Sequence, residues 1–191
     1  MATFTEQLVR ERARRQTTFR SADALLKESS VRSPPSQNYD IFLSHSVLDA
    51  EIVLGLKLML EDLGRSVYVD WIDDYQLDRS RVTPATADRL RQRMRQCRSL
   101  MYLYTQNSPS SKWMPWELGF SDGHHGAVAI VPVTVQPQQN FQGQEYLGIY
   151  PWVGVAIPLA GIPELRIQKN QFDYRSWQTW KVAPRDFRVT A

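Results

Sequence analysis

Residues 111–118 place one carboxylate among large aromatic side chains, with the sequence Ser-Lys-Trp-Met-Pro-Trp-Glu-Leu. Pro115 has no amide hydrogen and fits best in the first turn of a helix, which predicts that a helix begins here. Glu117 follows Trp113 by four residues, and residues at this spacing share one helical face. An acid beside aromatic rings in a cleft is suited to hold a flat cationic ring. The same residues also allow a structural role, in which the tryptophans pack and Glu117 is a helix-end acid favoured by the helix dipole.

Other residue types that carry chemistry do not form a recognisable motif. Cys97 is the only cysteine, which excludes an intramolecular disulfide and a multi-thiolate metal site. His124 and His125 are adjacent, so on a helix their rings would diverge by about 100° and would not form a metal-binding pair. Residues 44–49, after the first predicted strand, contain no glycine, so neither a phosphate loop nor a dinucleotide-binding loop is predicted. The sequence therefore predicts no metal site.

The elements that position Glu117 alternate between strand and helix along the chain. Apolar runs predict five strands, at residues 39–44, 66–70, 100–104, 127–135 and 153–159. Capping residues and helical spacing predict helices that begin at Ser46 and at Thr83, and a third helix within residues 108–123. This alternation is typical of a parallel sheet that helices cover on both faces.

The predicted sheet indicates where a ligand would bind. In open α/β sheets, ligands bind beyond the carboxyl ends of the strands. The residues that follow Ser44, Asp70 and Tyr104 are therefore candidates for a site. Asp49 also lies beyond the first strand, but its position favours an acid that supplies negative charge to the first turn of the next helix.

Two extensions flank the predicted main domain, residues 38–160. Residues 1–37 are predicted to form an N-terminal helix and a linker, since residues 5–29 contain no glycine or proline and two prolines follow. The apolar residues of this helix are sparse, so it needs a partner, either the main domain or a second copy of the chain. Residues 161–191 are predicted to be a C-terminal extension that packs on the main domain, with an amphipathic helix near 170–182.

Charge and composition exclude several classes of function. The net charge is +3, and residues 1–37 hold seven basic and four acidic residues, so the remainder of the chain is electrically balanced. The excess of basic residues in this N-terminal stretch is typical of a solvated tail, so no nucleic-acid partner is predicted. No apolar run is long enough to span a bilayer and no secretory leader is recognisable, so no membrane association is predicted. The single cysteine favours the reducing cytoplasm as the compartment.

Three segments resemble signature segments of the TIR (Toll/interleukin-1 receptor) domain family, in the family's order. Residues 39–46, Tyr-Asp-Ile-Phe-Leu-Ser-His-Ser, resemble the first box, and residues 66–70 with the loop that follows resemble the second strand and the BB loop. Residues 111–117 resemble the motif around the catalytic glutamate of TIR NADases, except that Met114 stands where the family usually has cysteine. The resemblance covers residues 38–160 and implies a flavodoxin-like parallel five-stranded sheet with helices on both faces. Within the family, the chain resembles the bacterial NADase type and is similar to Thoeris-like antiphage signalling TIR proteins.

The resemblance implies that the chain is an NAD-consuming enzyme with Glu117 as its catalytic carboxylate. Cleavage of the nicotinamide–ribose bond releases a neutral leaving group, so the reaction requires no general acid, only stabilisation of positive charge on the ribose. Trp113 would stack on a base or on the pyridinium ring. The resemblance further implies four residues that line the pocket: Ser44, His45, Ser46 and Trp71. His45 has an alternative role as a hydrogen-bonding residue that orders its loop, and Trp71 has one as a core or interface residue.

The implied reaction takes NAD⁺ as substrate, needs no cofactor, and gives nicotinamide with ADP-ribose or a cyclic or conjugated ADP-ribose signal. In antiphage systems of this type the signal activates a separate effector protein, and no effector domain is recognisable in this sequence. The alternative is a non-catalytic scaffold that assembles through TIR–TIR contacts, and Glu117 weighs against it because scaffolding requires no carboxylate there. Self-association is compatible with both. A phosphate-accepting receiver is disfavoured because Tyr104 and Thr105, not aspartate, end the third predicted strand.

Overall fold

The computed structural model describes residues 4–16, 37–70, 83–136, 145–156, 161, 163–170 and 172–187. The strands are β1 (Phe4–Thr5), β2 (Tyr39–Ser44), β3 (Val67–Tyr68), β4 (Cys97–Tyr104), β5 (Val128–Thr134), β6 (Trp152–Ala156), β7 (Glu164–Gln168) and β8 (Tyr174–Ser176). The helices are α1 (Glu6–Gln16), α2 (Ala50–Asp62), α3 (Pro84–Arg95), α4 (Trp113–His124) and α5 (Trp177–Trp180). Short 3₁₀ turns lie at Val47–Asp49, Ser108–Ser110 and Glu145–Ile149. None of the helices in these ranges is long and apolar enough to cross a membrane.

Five parallel strands form the centre of the sheet, in the order β3-β2-β4-β5-β6. From β2 the chain passes to β3 at the edge of the sheet. It then crosses to β4 on the other side of β2 and continues through β5 to β6. The winding therefore reverses between β2 and β4, which is where open α/β sheets form a binding crevice at their carboxyl edge. This arrangement confirms the predicted α/β fold, although the predicted five parallel strands are the centre of a larger sheet that has eight strands among the described residues.

Helices cover both faces of the sheet because successive strand residues point to opposite sides. On β2, Ile41 and Leu43 pack into the apolar cluster that includes α1, α2 and α5, whereas Phe42 packs into the cluster that includes α3 and α4. The helices begin where the sequence predicts: the side chain of Ser46 caps the first 3₁₀ turn, and that of Thr83 caps α3. The predicted helices on both faces are thus confirmed.

The C-terminal part of the chain differs from the predicted amphipathic helix. Beyond β6 the described residues continue the sheet with the antiparallel strands β7 and β8, and α5 is only one turn long. In β7, Leu165 and Ile167 are buried on alternate positions, a period of two that indicates a strand. Trp177 and Trp180 are three residues apart and both are buried, so one helical turn accounts for the spacing that suggested a longer helix. The prediction of a helix over 170–182 was therefore wrong.

The N-terminal helix packs on the main domain. β1 pairs in parallel with the last residues of β5, and α1 lies against α2 at close range. A Cβ atom built on Gly55 of α2 would lie 1.9 Å from the carbonyl oxygen of Val9 in α1, so only glycine permits this approach. Arg10 of α1 also forms an ion pair with Glu51 of α2. Residues 17–36, which include most of the predicted linker, lie outside the described residues, and the domain boundaries at 37/38 and 160/161 stay predictions.

We expect Gly55→Ala to lower the free energy of unfolding by about 3 kcal/mol, because the added methyl group requires α1 to move away from α2. The matched control is Gly119→Ala in α4, where a Cβ atom would meet nothing within 4 Å. This control should raise stability by up to about 1 kcal/mol through better helix propensity. Urea unfolding followed by circular dichroism measures both. Equal midpoints for Gly55→Ala and the unchanged protein would mean that α1 does not pack this way in solution.

Candidate active site

Glu117 lies at the carboxyl edge of the sheet, in the second turn of α4. Pro115 occupies the first turn of this helix, as the sequence predicts. The Glu117 side chain is 0% exposed, and its Oε2 accepts a hydrogen bond of 2.6 Å from the hydroxyl of Ser44, the last residue of β2. An acid held only by the helix dipole would occupy the first turn and reach solvent, so the burial of Glu117 disfavours that explanation.

The loop after β2 is ordered by two buried side chains that the sequence analysis assigned to the pocket. His45 Nδ1 lies 2.8 Å from the carbonyl oxygen of Leu43, and since a carbonyl only accepts, Nδ1 carries a proton. Its Nε2 lies 3.6 Å from Oδ1 of Asp70, two residues beyond the end of the short strand β3. Ser46 accepts a hydrogen bond from the amide of Leu48. His45 and Ser46 thus hold the shape of the loop, while Ser44 binds Glu117 directly.

Asp49 joins the two loops on either side of the point where the winding reverses. Its buried carboxylate accepts hydrogen bonds of 2.6 Å from the hydroxyl of Thr105 and 2.7 Å from the side-chain Nδ2 of Asn107. Although Asp49 occupies the cap position of α2, its side chain makes no cap hydrogen bond there. The main contacts of Asp49 are therefore between the exits of β2 and β4, which the sequence analysis missed because they span more than fifty residues of chain.

The aromatic residues of α4 pack on one another along the helix. The rings of Trp113 and Trp116 meet edge to face with centroids 5.4 Å apart, and Trp116 stacks on Phe120. Trp113 is half-buried, so part of its ring is accessible at the start of the helix, whereas Met114, at the position where the family usually has cysteine, is fully buried. Trp71 and the loop that follows it lie outside the described residues.

A cleft of about 270 Å³ opens between the exit of β4, the first turn of α4 and the 3₁₀ turn Glu145–Ile149. Its walls are mostly aromatic or apolar, and the lining residues are Tyr102, Tyr104, Ser108, Pro109, Pro115, Glu145, Tyr146 and Leu147. The sequence analysis did not single out these tyrosines, because residues 100–104 read as an ordinary buried strand. Two tyrosines two residues apart at the carboxyl end of a strand share one face, and this spacing was the available signal.

Tyr102 connects the cleft to Glu117. Burial raises the pKa of Tyr102 to about 12, and the neighbouring groups Tyr146, Glu117 and Tyr104, in that order, raise it further by their negative charge when ionised. The phenol is therefore neutral at physiological pH and keeps its proton beside the carboxylate.

A larger cavity, of about 430 Å³, lies at the opposite, amino end of the sheet, and Glu117 does not line it. It is bounded by the end of α4 and by the C-terminal residues near Arg185. His125 in its wall accepts a hydrogen bond from the amide of Ala127, and burial, followed by the charge of His124, lowers its pKa to about 4. Within the described ranges, no group of three potential ligands is placed to hold a metal ion. The chemistry that the residues offer is therefore concentrated at the carboxyl edge.

The geometry at the carboxyl edge suits stabilisation of a cation. A buried carboxylate in surroundings of low dielectric constant attracts a nearby positive charge more strongly than a carboxylate in water does. The hydrogen bond from Ser44 fixes the orientation of Glu117, so little reorganisation is needed when charge develops.

Comparison with known proteins gives two informative relatives, while no protein-family model matches the chain. The chain is 46% identical over 162 residues to a protein from Bacillus cereus (strain MSX-D12) described as a probable 3′ cyclic ADP-D-ribose synthase, ThsB′, and the match covers 84% of each chain. It is 33% identical over 100 residues to a protein from Cytobacillus dafuensis described as a putative cyclic ADP-D-ribose synthase, TIR2. This second match covers 52% of the present chain and 26% of the other.

We expect Asp49→Asn to lower the free energy of unfolding by about 1–3 kcal/mol. The carboxylate of Asp49 accepts from two donors, and the side-chain amide of asparagine would replace one acceptor oxygen with a further donor. Asp88→Asn is the matched control, since the Asp88 side chain is 73% exposed, and it should change stability by less than about 0.5 kcal/mol. Urea unfolding at pH 7 gives both values. If the two substitutions had equal effects, the Asp49 contacts would not be important for holding the two loops.

Proposed function

The chain belongs to the TIR-domain family of cyclic ADP-ribose synthases, and we propose that Glu117 is the carboxylate with which it cleaves NAD⁺. The protein is an enzyme that consumes NAD⁺ by breaking the nicotinamide–ribose bond and forms cyclic ADP-ribose. The observation that supports the role of Glu117 is its buried carboxylate, held by Ser44 where the winding of the sheet reverses.

The proposed step follows from the electronic demands of the bond that breaks. The bond between the ribose carbon and the nicotinamide nitrogen breaks with both electrons moving to nitrogen, and nicotinamide leaves as a neutral molecule. Positive charge then develops on the ribose, as in glycoside cleavage. Glu117 stabilises this charge through its own charge and through hydrogen bonds to the ribose hydroxyls. A second carboxylate is not required, because the leaving group needs no proton.

The other predicted site residues have supporting roles in this proposal. Ser44 orients Glu117 through its 2.6 Å hydrogen bond. His45 and Ser46 keep the loop after β2 in the shape that admits the ribose. The half-buried ring of Trp113 stacks on the pyridinium ring, a contact that contributes about 0.5–2 kcal/mol. Trp71 would line the remaining side of the pocket.

The context of the reaction extends the proposal. The enzyme acts in the cytoplasm with NAD⁺ as substrate and no cofactor, and its product activates a separate effector protein in Thoeris-like antiphage signalling. The enzyme self-associates through contacts between copies of its TIR domain. A non-catalytic scaffold is the second candidate, and the buried, hydrogen-bonded carboxylate of Glu117 disfavours it because a scaffold does not need a buried charge.

We expect Glu117→Gln to reduce the rate of nicotinamide release by about a thousandfold or more, because the amide cannot neutralise the ribose cation. The matched control is Glu11→Gln on α1, where the glutamate side chain is 51% exposed and pairs with Arg15. Chromatography of nicotinamide at saturating NAD⁺ gives the rates, and circular dichroism verifies folding. Turnover of folded Glu117→Gln within about threefold of the unchanged protein would exclude a catalytic role for this carboxylate.

We expect Ser44→Ala to lower kcat by about tenfold with little change in KM, because Glu117 loses a hydrogen bond that orients it but keeps its charge. Steady-state kinetics of nicotinamide release separate the two constants. A raised KM with an unchanged kcat would instead assign Ser44 to substrate binding.

A further inference from the structure

The carboxylate chemistry of Glu117 explains how the nicotinamide bond breaks but leaves the fate of the ADP-ribosyl group open. Two nucleophiles compete for the ribose cation: water, which gives linear ADP-ribose, and a group of the same molecule, which gives a cyclic product. The bond energies are similar, so the outcome depends on which nucleophile is held near the cation. A feature of the protein beside Glu117 must therefore favour the internal nucleophile.

The cleft lined by Tyr102, Tyr104 and Tyr146 has the position and composition for this task. Its volume of about 270 Å³ is small for a complete dinucleotide and suits one flat ring system. Three phenol rings and two prolines in its walls offer stacking surface, and Ser108 and Glu145 add polar groups.

The cleft also lies beside the carboxylate. Tyr102 in its wall lies opposite Ser44 in the strand register, and the Ser44 hydroxyl binds Glu117. Pro115, another lining residue, lies two residues before Glu117 on α4. A ring seated among the tyrosines of the cleft therefore lies close to a ribose held by Glu117. The Tyr102 phenol stays neutral, so Glu145 is the charged side chain among the residues that line the cleft.

We propose that this cleft holds the adenine end of NAD⁺ folded back toward the reacting ribose, and so directs the enzyme to cyclisation over hydrolysis. This inference rests on the proposed function of Glu117. In the step, the bond between ribose and nicotinamide breaks with its electron pair on nicotinamide, and the adenosine half of the same molecule supplies the electron pair for the new bond to the ribose carbon. One proton is released to solvent, so NAD⁺ gives nicotinamide, cyclic ADP-ribose and H⁺.

Physical magnitudes make the product ratio a sensitive measure of this placement. A well-oriented internal nucleophile can act at an effective concentration of about 10⁵–10⁸ M, far above the concentration of water at about 55 M. This advantage exists only while the adenine end is held in place. Loss of one wall of the cleft should therefore raise the share of the ADP-ribosyl group that is hydrolysed.

The test substitutes Tyr146, which is 42% exposed and can be truncated without opening the core. We expect Tyr146→Ala to raise the ratio of linear to cyclic ADP-ribose by about tenfold, whatever the effect of the substitution on the rate of nicotinamide release. Tyr146→Phe keeps the ring and should keep the ratio. Tyr174→Ala is the matched control, since Tyr174 is 44% exposed and lies on β8 away from the cleft. Tyr104→Leu, on the β4 side of the cleft, gives an independent second variant.

Mass spectrometry of the products and chromatography of nicotinamide give the two readouts from one incubation with NAD⁺. An unchanged product ratio in both Tyr146→Ala and Tyr104→Leu, with either normal or reduced nicotinamide release, would overturn the role of the cleft. If the enzyme without any substitution released no nicotinamide, the proposed function itself would be overturned. The two failures are therefore distinguishable.

Discussion

A carboxylate that is fully removed from water needs polar partners, and the hydrogen bond from Ser44 supplies one of them to Glu117. This single contact joins the end of β2 to the second turn of α4. It requires that β2 and β4 keep their register, in which Ser44 lies opposite Tyr102, and that α4 begins close to Trp113. A shift of either element by one residue would leave a buried charge without this donor, which costs more than most single packing defects.

A second connection lies across the same reversal of the sheet. The carboxylate of Asp49 receives hydrogen bonds from Thr105 and Asn107, so the loops after β2 and β4 cannot move independently. The site is therefore held by the polar contacts of Glu117 and Asp49 on a scaffold of buried strands. Tyr102 lines the cleft and lies opposite Ser44 in the neighbouring strand, so the carboxylate and the tyrosine-lined cleft would give the two ends of a dinucleotide different surroundings.

The sequence predicted the parts of this arrangement that depend on local spacing. The alternation of apolar runs identified the five parallel strands, and Pro115 placed the start of α4 and hence the position of Glu117. What it missed depends on contacts distant in the chain. The link from Asp49 to Thr105 and the pairing of β7 with β6 have no signature in either segment alone. The spacing of three residues between Trp177 and Trp180 suggested a longer helix, because this spacing is compatible with one helical turn as well as with several.

The pairing of β1 with β5 has a consequence for how the chain is made. Phe4 and Thr5 are synthesised long before their partners Val133 and Thr134, which follow only after most of the sheet. At about 5–20 residues per second, the first strand waits several seconds or longer without its partner. Closing so long a loop is slow and entropically costly, so the pairing comes late in folding. The strand β1 therefore takes its place in the sheet only after strands that are synthesised later have formed.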